Sequence, residues 1–111
     1  MSSTRIGRDA EELVAKTLEN DGHKIIALNW RRRSCEVDII TTKNQAAYLV
    51  EVKYRSSEFS GSGLEYITPA KLKQMRYAAE LWIMEADWSG DVLLLAASVD
   101  STGKIEIVEC D

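Results

Sequence analysis

Residues 35–54 constrain the fold of this chain more than any other stretch. Two β-rich runs, 35–42 and 46–54, flank the short polar segment Lys43-Asn44-Gln45, which is typical of a β-hairpin. Pairing residue 43 with residue 46 leaves a two-residue Asn44-Gln45 turn. Strongly apolar residues flank both runs, so we expect two neighbouring strands near the centre of a sheet.

A predicted helix lies on each side of this hairpin. Apolar residues recur with a 3.6-residue period over about 6–21 and again over about 68–86, where Thr68 is the expected N-cap and Pro69 the first helical residue. Further strands are predicted at 24–28, 91–99 and 105–108. The order α-β-β-β-α-β-β predicts an α/β fold in which helices flank one mixed sheet of four or five strands.

Size and composition limit the class of protein. A chain of 111 residues corresponds to one domain, 1–111, and 45% hydrophobic with 29% charged residues is typical of a globular protein. No apolar run approaches the roughly 20 residues of a membrane-spanning helix, and no secretory signal is recognisable. Cys35 and Cys110 lack partners at metal-ligand spacing, so we expect free thiols and a cytoplasmic location rather than a disulfide.

Acidic residues and a lysine interrupt the two central strands. Alternation places Glu36, Asp38 and Ile40 on one face of the first strand of the hairpin. Glu51 and Lys53 share one face of the second, and the hairpin register puts Asp38 opposite Glu51, where two carboxylates repel. A divalent cation would turn this repulsion into coordination, because Mg²⁺ is typically held by one or two carboxylates. The alternative is a solvent-facing sheet face with a Glu51–Lys53 ion pair.

Four residues outside these strands also bear on a site. Glu11 lies at the edge of the first helix's apolar stripe and can turn toward the sheet, whereas Glu12 points away from it. His23, at a helix-to-strand junction, is expected in an exposed loop. Trp30 is expected at a partly buried edge, with stacking on a nucleic-acid base as the alternative.

Positive charge is unevenly distributed, although the net charge is −4. Residues 31–33 and 53–76 hold eight of the 14 Lys and Arg but two of the 18 Asp and Glu, and an exposed loop is predicted at 56–63. Phosphate affinity depends on where positive charge lies, so these residues are candidate nucleic-acid contacts that we expect to converge around the acids. They are Arg31, Arg32, Arg33, Arg55, Lys71, Lys73 and Arg76.

The acids and the lysine form a known pattern. Asp38, followed thirteen residues later by Glu51-Val52-Lys53, resembles the signature of the PD-(D/E)XK nuclease superfamily. From about residue 7 to residue 99 the chain is more closely similar to the YraN family of small nuclease-like proteins. The matching positions are Glu11, Leu18, Gly22, Asn29, Arg31, Glu36-Val37-Asp38, Glu51-Val52-Lys53-Tyr54-Arg55, Thr68-Pro69-Ala70-Lys71 and Asp91.

Four positions depart from the family pattern. Ala10 and Cys35 replace glycines, and Ser89-Gly90 replaces an Arg-Phe pair. These changes affect packing and turn geometry and leave the acids and the lysine in place.

The resemblance implies a restriction-endonuclease-like fold and a metal-dependent nuclease acting on nucleic acid, DNA and branched or structured DNA in particular. Asp38 and Glu51 would coordinate Mg²⁺ or Mn²⁺, with Glu11 as a further direct or water-mediated ligand. Lys53 would orient the attacking water or stabilise the developing charge. Cutting branched DNA would favour a homodimer.

Two other functions stay open at this point. One is a nucleic-acid-binding or adaptor domain of the same fold without activity, and the other is an immunity-type protein that binds a protein partner. The isoelectric point of about 5.0 favours these alternatives, whereas the presence of both acids and the lysine favours the enzyme.

Overall fold

The computed structural model describes residues 3–55 and 67–110, with side chains from Arg5 onward. Its elements are α1 (Ser3–Asn20), β1 (Lys24–Arg32), β2 (Cys35–Lys43), β3 (Ala46–Arg55), α2 (Pro69–Ala86), β4 (Asp91–Asp100) and β5 (Ile105–Cys110). The predicted order of helices and strands is confirmed. The segment 56–63, predicted as an exposed loop, lies outside the described residues.

One mixed sheet organises these elements. Its strand order is β1-β2-β3-β4-β5, and every neighbouring pair is antiparallel except β3 and β4, which are parallel. Parallel neighbours need a crossover connection, and α2 lies within it. The carboxyl ends of β3 and β4 therefore lie at the same edge of the sheet.

Each face of the sheet packs against one helix. The core on the α1 side contains Val14 and Leu18 from the helix with Ile39, Val50 and Leu95 from the sheet. The core on the α2 side contains Met75, Ala78, Ala79 and Trp82 from the helix with Val37, Ile40 and Leu49 from the sheet. Trp82 is buried, as the apolar stripe of the second helix predicted.

The β2–β3 hairpin has the predicted register. Lys43 pairs with Ala46, and the pairing continues to Ile39 with Val50. Asn44 and Gln45 have φ angles of 51° and 67°, as expected for the two-residue turn that matches the twist of a hairpin.

The start of α2 also agrees with prediction. The Thr68 hydroxyl accepts a hydrogen bond of 3.0 Å from the backbone N–H of Lys71, and Pro69 opens the helix. The first strand is longer than predicted and runs to Arg32. Both cysteines are buried thiols that are not joined in a disulfide, as expected. Neither helix, within the part of the chain that the structure describes, is long and apolar enough to cross a membrane.

The expectation that His23 lies in an exposed loop is wrong. The side chain is buried, and its Nδ1 lies 2.7 Å from the hydroxyl oxygen of the buried Thr41. Its ring contacts the ring of Tyr48 edge-on, with centroids 4.6 Å apart. Burial, aided by the charge of Lys43, lowers the pKa of His23. The partner Thr41 is 18 residues away in sequence, so no local pattern indicated this contact.

We expect replacement of Gln45 by glycine to stabilise the protein by about 0.5–1 kcal/mol. A positive φ strains a residue with a Cβ but not glycine, and this gain exceeds the added entropy of the unfolded chain. The free energy of unfolding from urea denaturation measures the effect. Gln74→Gly, in the exposed interior of α2, is the matched control and should destabilise by about 1 kcal/mol. A loss of stability in Gln45→Gly would contradict the turn geometry.

Candidate functional site

The site begins where β2 loses its regular alternation. Val37 and Ile40 both contact the α2-side core, whereas Ile39 between them contacts the α1-side core. Regular alternation would put Val37 and Ile39 on the same face. The strand therefore breaks its alternation at Asp38, and the prediction that Glu36, Asp38 and Ile40 share one face is wrong.

The neighbouring strand β1 has the same break at the same level. Ala27 and Trp30 both contact the α2-side core although they are three residues apart. Leu28 pairs with Ile39 and Trp30 pairs with Val37, so Asn29 lies at the level of Asp38. The φ of Asn29 is 52°, a left-handed conformation that asparagine adopts more readily than most residues.

Asp38 also marks the end of the pairing between β2 and β3. The last register pair is Ile39 with Val50, while β3 continues alongside β4 as far as Arg55 and Asp100. The Oδ2 atom of Asp38 accepts a hydrogen bond of 2.7 Å from the backbone N–H of Val52. A side chain thus takes the place of a backbone acceptor. We call this opening the fork, defined by residues 36–38 of β2 and 51–53 of β3.

Glu51 and Lys53 lie on the α2 side of the fork. They line one cavity of about 230 Å³ together with Thr68 and Lys71, which agrees with alternation along β3. The small residues Ala96 and Ala97 of β4 also line this cavity. Glu51 Oε1 lies 3.0 Å from Lys71 Nζ, with the two side chains 18% and 34% exposed. Lys53 is exposed.

The electrostatics of the fork centre on Asp38. Burial raises the pKa of Asp38 from 3.8 to about 6, and the negative charge of Glu51 adds to the shift. The hydrogen bond from Val52 and the positive charge of Lys71 oppose it. The two carboxylates are therefore close enough to repel, and Asp38 is costly to ionise where it lies.

Glu11 approaches Asp38 from the α1 side. Burial and the charge of Asp38 raise the pKa of Glu11, against a hydrogen bond with the Asn29 side chain. Glu11, Asn29, Arg8 and Arg31 line a polar cavity of about 510 Å³. The helical wheel indicated this inward orientation of Glu11, and Glu12 is exposed, as expected.

A divalent cation at the fork would have to be held by a pair of acids rather than by a triad. Within residues 3–55 and 67–110, no three His, Cys, Asp or Glu side chains are grouped closely enough to hold a metal ion. Asp38 interacts with Glu51 on one side and with Glu11 on the other. Because Mg²⁺ commonly takes one or two carboxylates and completes its shell with water and phosphate oxygens, Asp38 and Glu51 are the candidate donor pair.

The basic residues converge on the fork in part. Lys71 reaches Glu51, and Arg31 lines the Glu11 cavity while forming a 3.0 Å ion pair with Glu36 across the β1–β2 ladder. Lys73 lines an open groove on the surface of α2 together with Lys71. Arg33 and Arg76 are exposed, and Arg55 is the register partner of Asp100 at the end of β3.

Arg32 does not take part in the convergence that was predicted for it. Its Nε donates to both carboxylate oxygens of Glu85 at 2.8 Å, which ties it to the C-terminal end of α2. Its guanidinium also lies over Trp30, 4.5 Å from the ring centroid. Trp30 is 9% exposed, which agrees with the expected buried edge rather than with a surface that stacks on a base.

Arg8 is a site residue that the sequence interpretation missed. It precedes Glu11 by three residues on α1, so the two share one helix face, and its charge opposes the rise in the pKa of Glu11. The helical spacing was a usable signal. The breaks at Asn29 and Asp38 had no such signal, because they depend on pairing between strands.

Fold and fork together define a small α/β protein with two coupled carboxylates and a lysine at the opening of a mixed sheet. The family described as "Uncharacterised protein family UPF0102" matches residues 10–108. The chain belongs to the UPF0102 family, in agreement with its YraN-like resemblance.

Relatives named as UPF0102 proteins support this membership. One from Parafrankia sp. is 37% identical over 83 residues, covering 75% of this chain and 70% of the relative. One from Acidothermus cellulolyticus is 40% identical over 80 residues, covering 72% and 61%. One from Chlorobium chlorochromatii is 35% identical over 96 residues, covering 83% and 74%.

We expect Asp38→Asn to stabilise the metal-free protein near neutral pH by up to about 3 kcal/mol. The pKa of Asp38 is about 6 when folded against an ordinary 3.8, so between these values the folded state keeps a proton that the unfolded state loses. Stability of the parent should therefore fall as pH rises from about 4 to about 6 and stay low above that. Asparagine removes the charge and keeps an acceptor for the Val52 N–H.

Urea denaturation in EDTA across this pH range tests the expectation. Glu12→Gln is the matched control, because it removes the same single negative charge from an exposed side chain. It should leave the pH dependence of stability unchanged. A variant Asp38→Asn with the parental pH dependence would show that the fork carboxylate is not destabilising.

Proposed function

We propose that this protein is a metal-dependent nuclease that hydrolyses phosphodiester bonds of nucleic acid, with DNA as the favoured substrate. The observation that carries the proposal is the fork, where a half-buried aspartate that is costly to ionise lies beside a second carboxylate. Acidic side chains whose charged form is destabilised by burial are rare in folded proteins unless they belong to a functional site. The lysine two residues after Glu51 lines the same cavity.

Asp38 and Glu51 would hold Mg²⁺ or Mn²⁺, with Glu11 as a more distant ligand, and the ion would supply charge stabilisation and an acidic water. The hydrogen bond from Val52 fixes one oxygen of Asp38 and orients the carboxylate. The Glu51 carboxylate is held by its ion pair with Lys71 of α2. Both donors are thereby positioned before any ligand arrives.

Lys53 has the role of stabilising negative charge. Its ammonium carries three donors and belongs to the cavity that contains Glu51. A phosphate placed there would accept hydrogen bonds from Lys53 as negative charge develops on its oxygens. Such electrostatic stabilisation of the transition state is commonly the largest single contribution to catalysis.

The groove on α2 is the proposed path of the nucleic-acid backbone. Lys71 and Lys73 line it together with the hydroxyl-bearing side chains of Ser34, Thr68 and Tyr77. Such groups contact phosphates and sugars, which position the strand without reading its sequence. Branched or structured DNA as substrate, and a homodimer that presents two such sites, are the finer form of this proposal.

Replacement of Lys53 by alanine should lower the rate of cleavage by about 100-fold or more while DNA binding stays close to parental, because one of several phosphate contacts is lost. The measurement is a cleavage assay with Mg²⁺ or Mn²⁺ on single-stranded, duplex and branched DNA, with binding followed in parallel. Lys24→Ala, an exposed lysine at the opposite end of β1 from the fork, is the control. Binding without cleavage under every metal would instead support the nucleic-acid-binding alternative.

Divalent cations should raise the melting temperature of the free protein. At ten times the dissociation constant a ligand contributes about 1.4 kcal/mol, which is about 5 °C for a domain of this size. Asp38→Asn should lose most of this gain because the variant lacks one of the two carboxylates. Glu12→Gln should keep it. A full response to Mn²⁺ in Asp38→Asn would remove Asp38 from the donor set.

A further inference from the structure

Lys71 and Glu51 form an ion pair inside the candidate site. Lys71 Nζ lies 3.0 Å from Glu51 Oε1, and neither side chain is more than 34% exposed. Partial burial strengthens such a pair relative to one at the surface. The helix start fixes its geometry, because the Thr68 hydroxyl binds the Lys71 backbone N–H. Lys71 is therefore placed at Glu51 by the backbone as well as by charge.

Glu51 is also a proposed donor to the divalent cation. The Lys71 ammonium and a divalent cation would neutralise the same carboxylate, so the two compete for Glu51. The charge of Lys71 also reaches Asp38, where it opposes the repulsion between the two acids. In the metal-free protein Lys71 thus serves as the counter-ion of the acidic pair.

Released from Glu51, Lys71 has a second place to bind. It lines the open groove on α2 that Lys73, Thr68 and Tyr77 also line. Its flexible stem allows the ammonium to move from the cavity to that groove without movement of the helix. In the groove the ammonium would face a phosphate rather than a carboxylate.

We propose that Lys71 is a place-holder cation, which occupies Glu51 in the metal-free protein and transfers to a backbone phosphate of the nucleic acid when a divalent cation binds. This inference rests on the proposed function. It assigns Lys71 a positioning role in which metal and nucleic acid strengthen each other's binding. By linkage, the factor by which the metal improves nucleic-acid affinity equals the factor by which nucleic acid improves metal affinity.

The test compares Lys71→Met with Lys73→Met. Both changes remove one positive charge from the first turns of α2 and keep an unbranched side chain, but Lys73 is exposed. Calorimetry measures the affinity for Mn²⁺ alone. Fluorescence anisotropy measures the affinity for a short DNA duplex with Mn²⁺ or with EDTA at constant ionic strength, in a Lys53→Ala background that keeps the DNA intact. Melting curves verify folding, and Lys71→Gln serves as a second variant.

Lys71→Met should bind Mn²⁺ alone roughly fivefold more tightly than the parent, because the ion displaces no ammonium, and should lose most of the Mn²⁺-dependent gain in DNA affinity. Lys73→Met should weaken DNA binding equally with and without Mn²⁺ and leave the affinity for Mn²⁺ nearly unchanged.

Two results separate failure of this inference from failure of the proposed function. Suppose that the parent binds Mn²⁺ and cleaves DNA, but Lys71→Met has the parental affinity for Mn²⁺ or the parental Mn²⁺-dependent gain in DNA affinity. The place-holder role is then overturned, while the proposed nuclease function stands. If the parent binds neither Mn²⁺ nor DNA, both fall together.

Discussion

The hydrogen bond from the Val52 backbone N–H to Asp38 is the interaction on which the rest of the site depends. It stands at the point where pairing between β2 and β3 ends, and it satisfies a backbone donor that would otherwise lose its partner in the sheet. It also holds a carboxylate where burial and Glu51 oppose its charge. The same contact therefore belongs both to the sheet and to the candidate site, and Glu51 and Lys53 lie on the strand beside it.

Local signals predicted most of the fold. The Asn44-Gln45 turn set the hairpin register, and Thr68 with Pro69 located the start of α2, because turns and helix caps depend on residues close in sequence. His23 and the broken alternation at Asp38 escaped prediction for the opposite reason. The partner of His23 lies on another strand, and the break in β2 lies at the same level as the one in β1, which is not adjacent in sequence.

The candidate site was predictable in its residues and less so in its contacts. Asp38, Glu51 and Lys53 stand out in sequence because charged residues are unusual in central strands. The pairing of Lys71 with Glu51 and of Arg32 with Glu85 required the packing of α2 against the sheet. Arginines adjacent in sequence consequently make different contacts, since Arg31 lines the Glu11 cavity and Arg32 binds Glu85 at the C-terminal end of α2.

The matching breaks at Asn29 and Asp38 also bear on how such a sheet can change over time or under redesign. Restoring regular alternation in one strand alone would turn every later side chain of that strand to the opposite face, against a neighbour that had not changed. The two irregular positions would therefore have to change together to keep the faces of β1 and β2 aligned. A chain grafting this fork onto another sheet would have to carry both irregular strands, not merely the acids that they present.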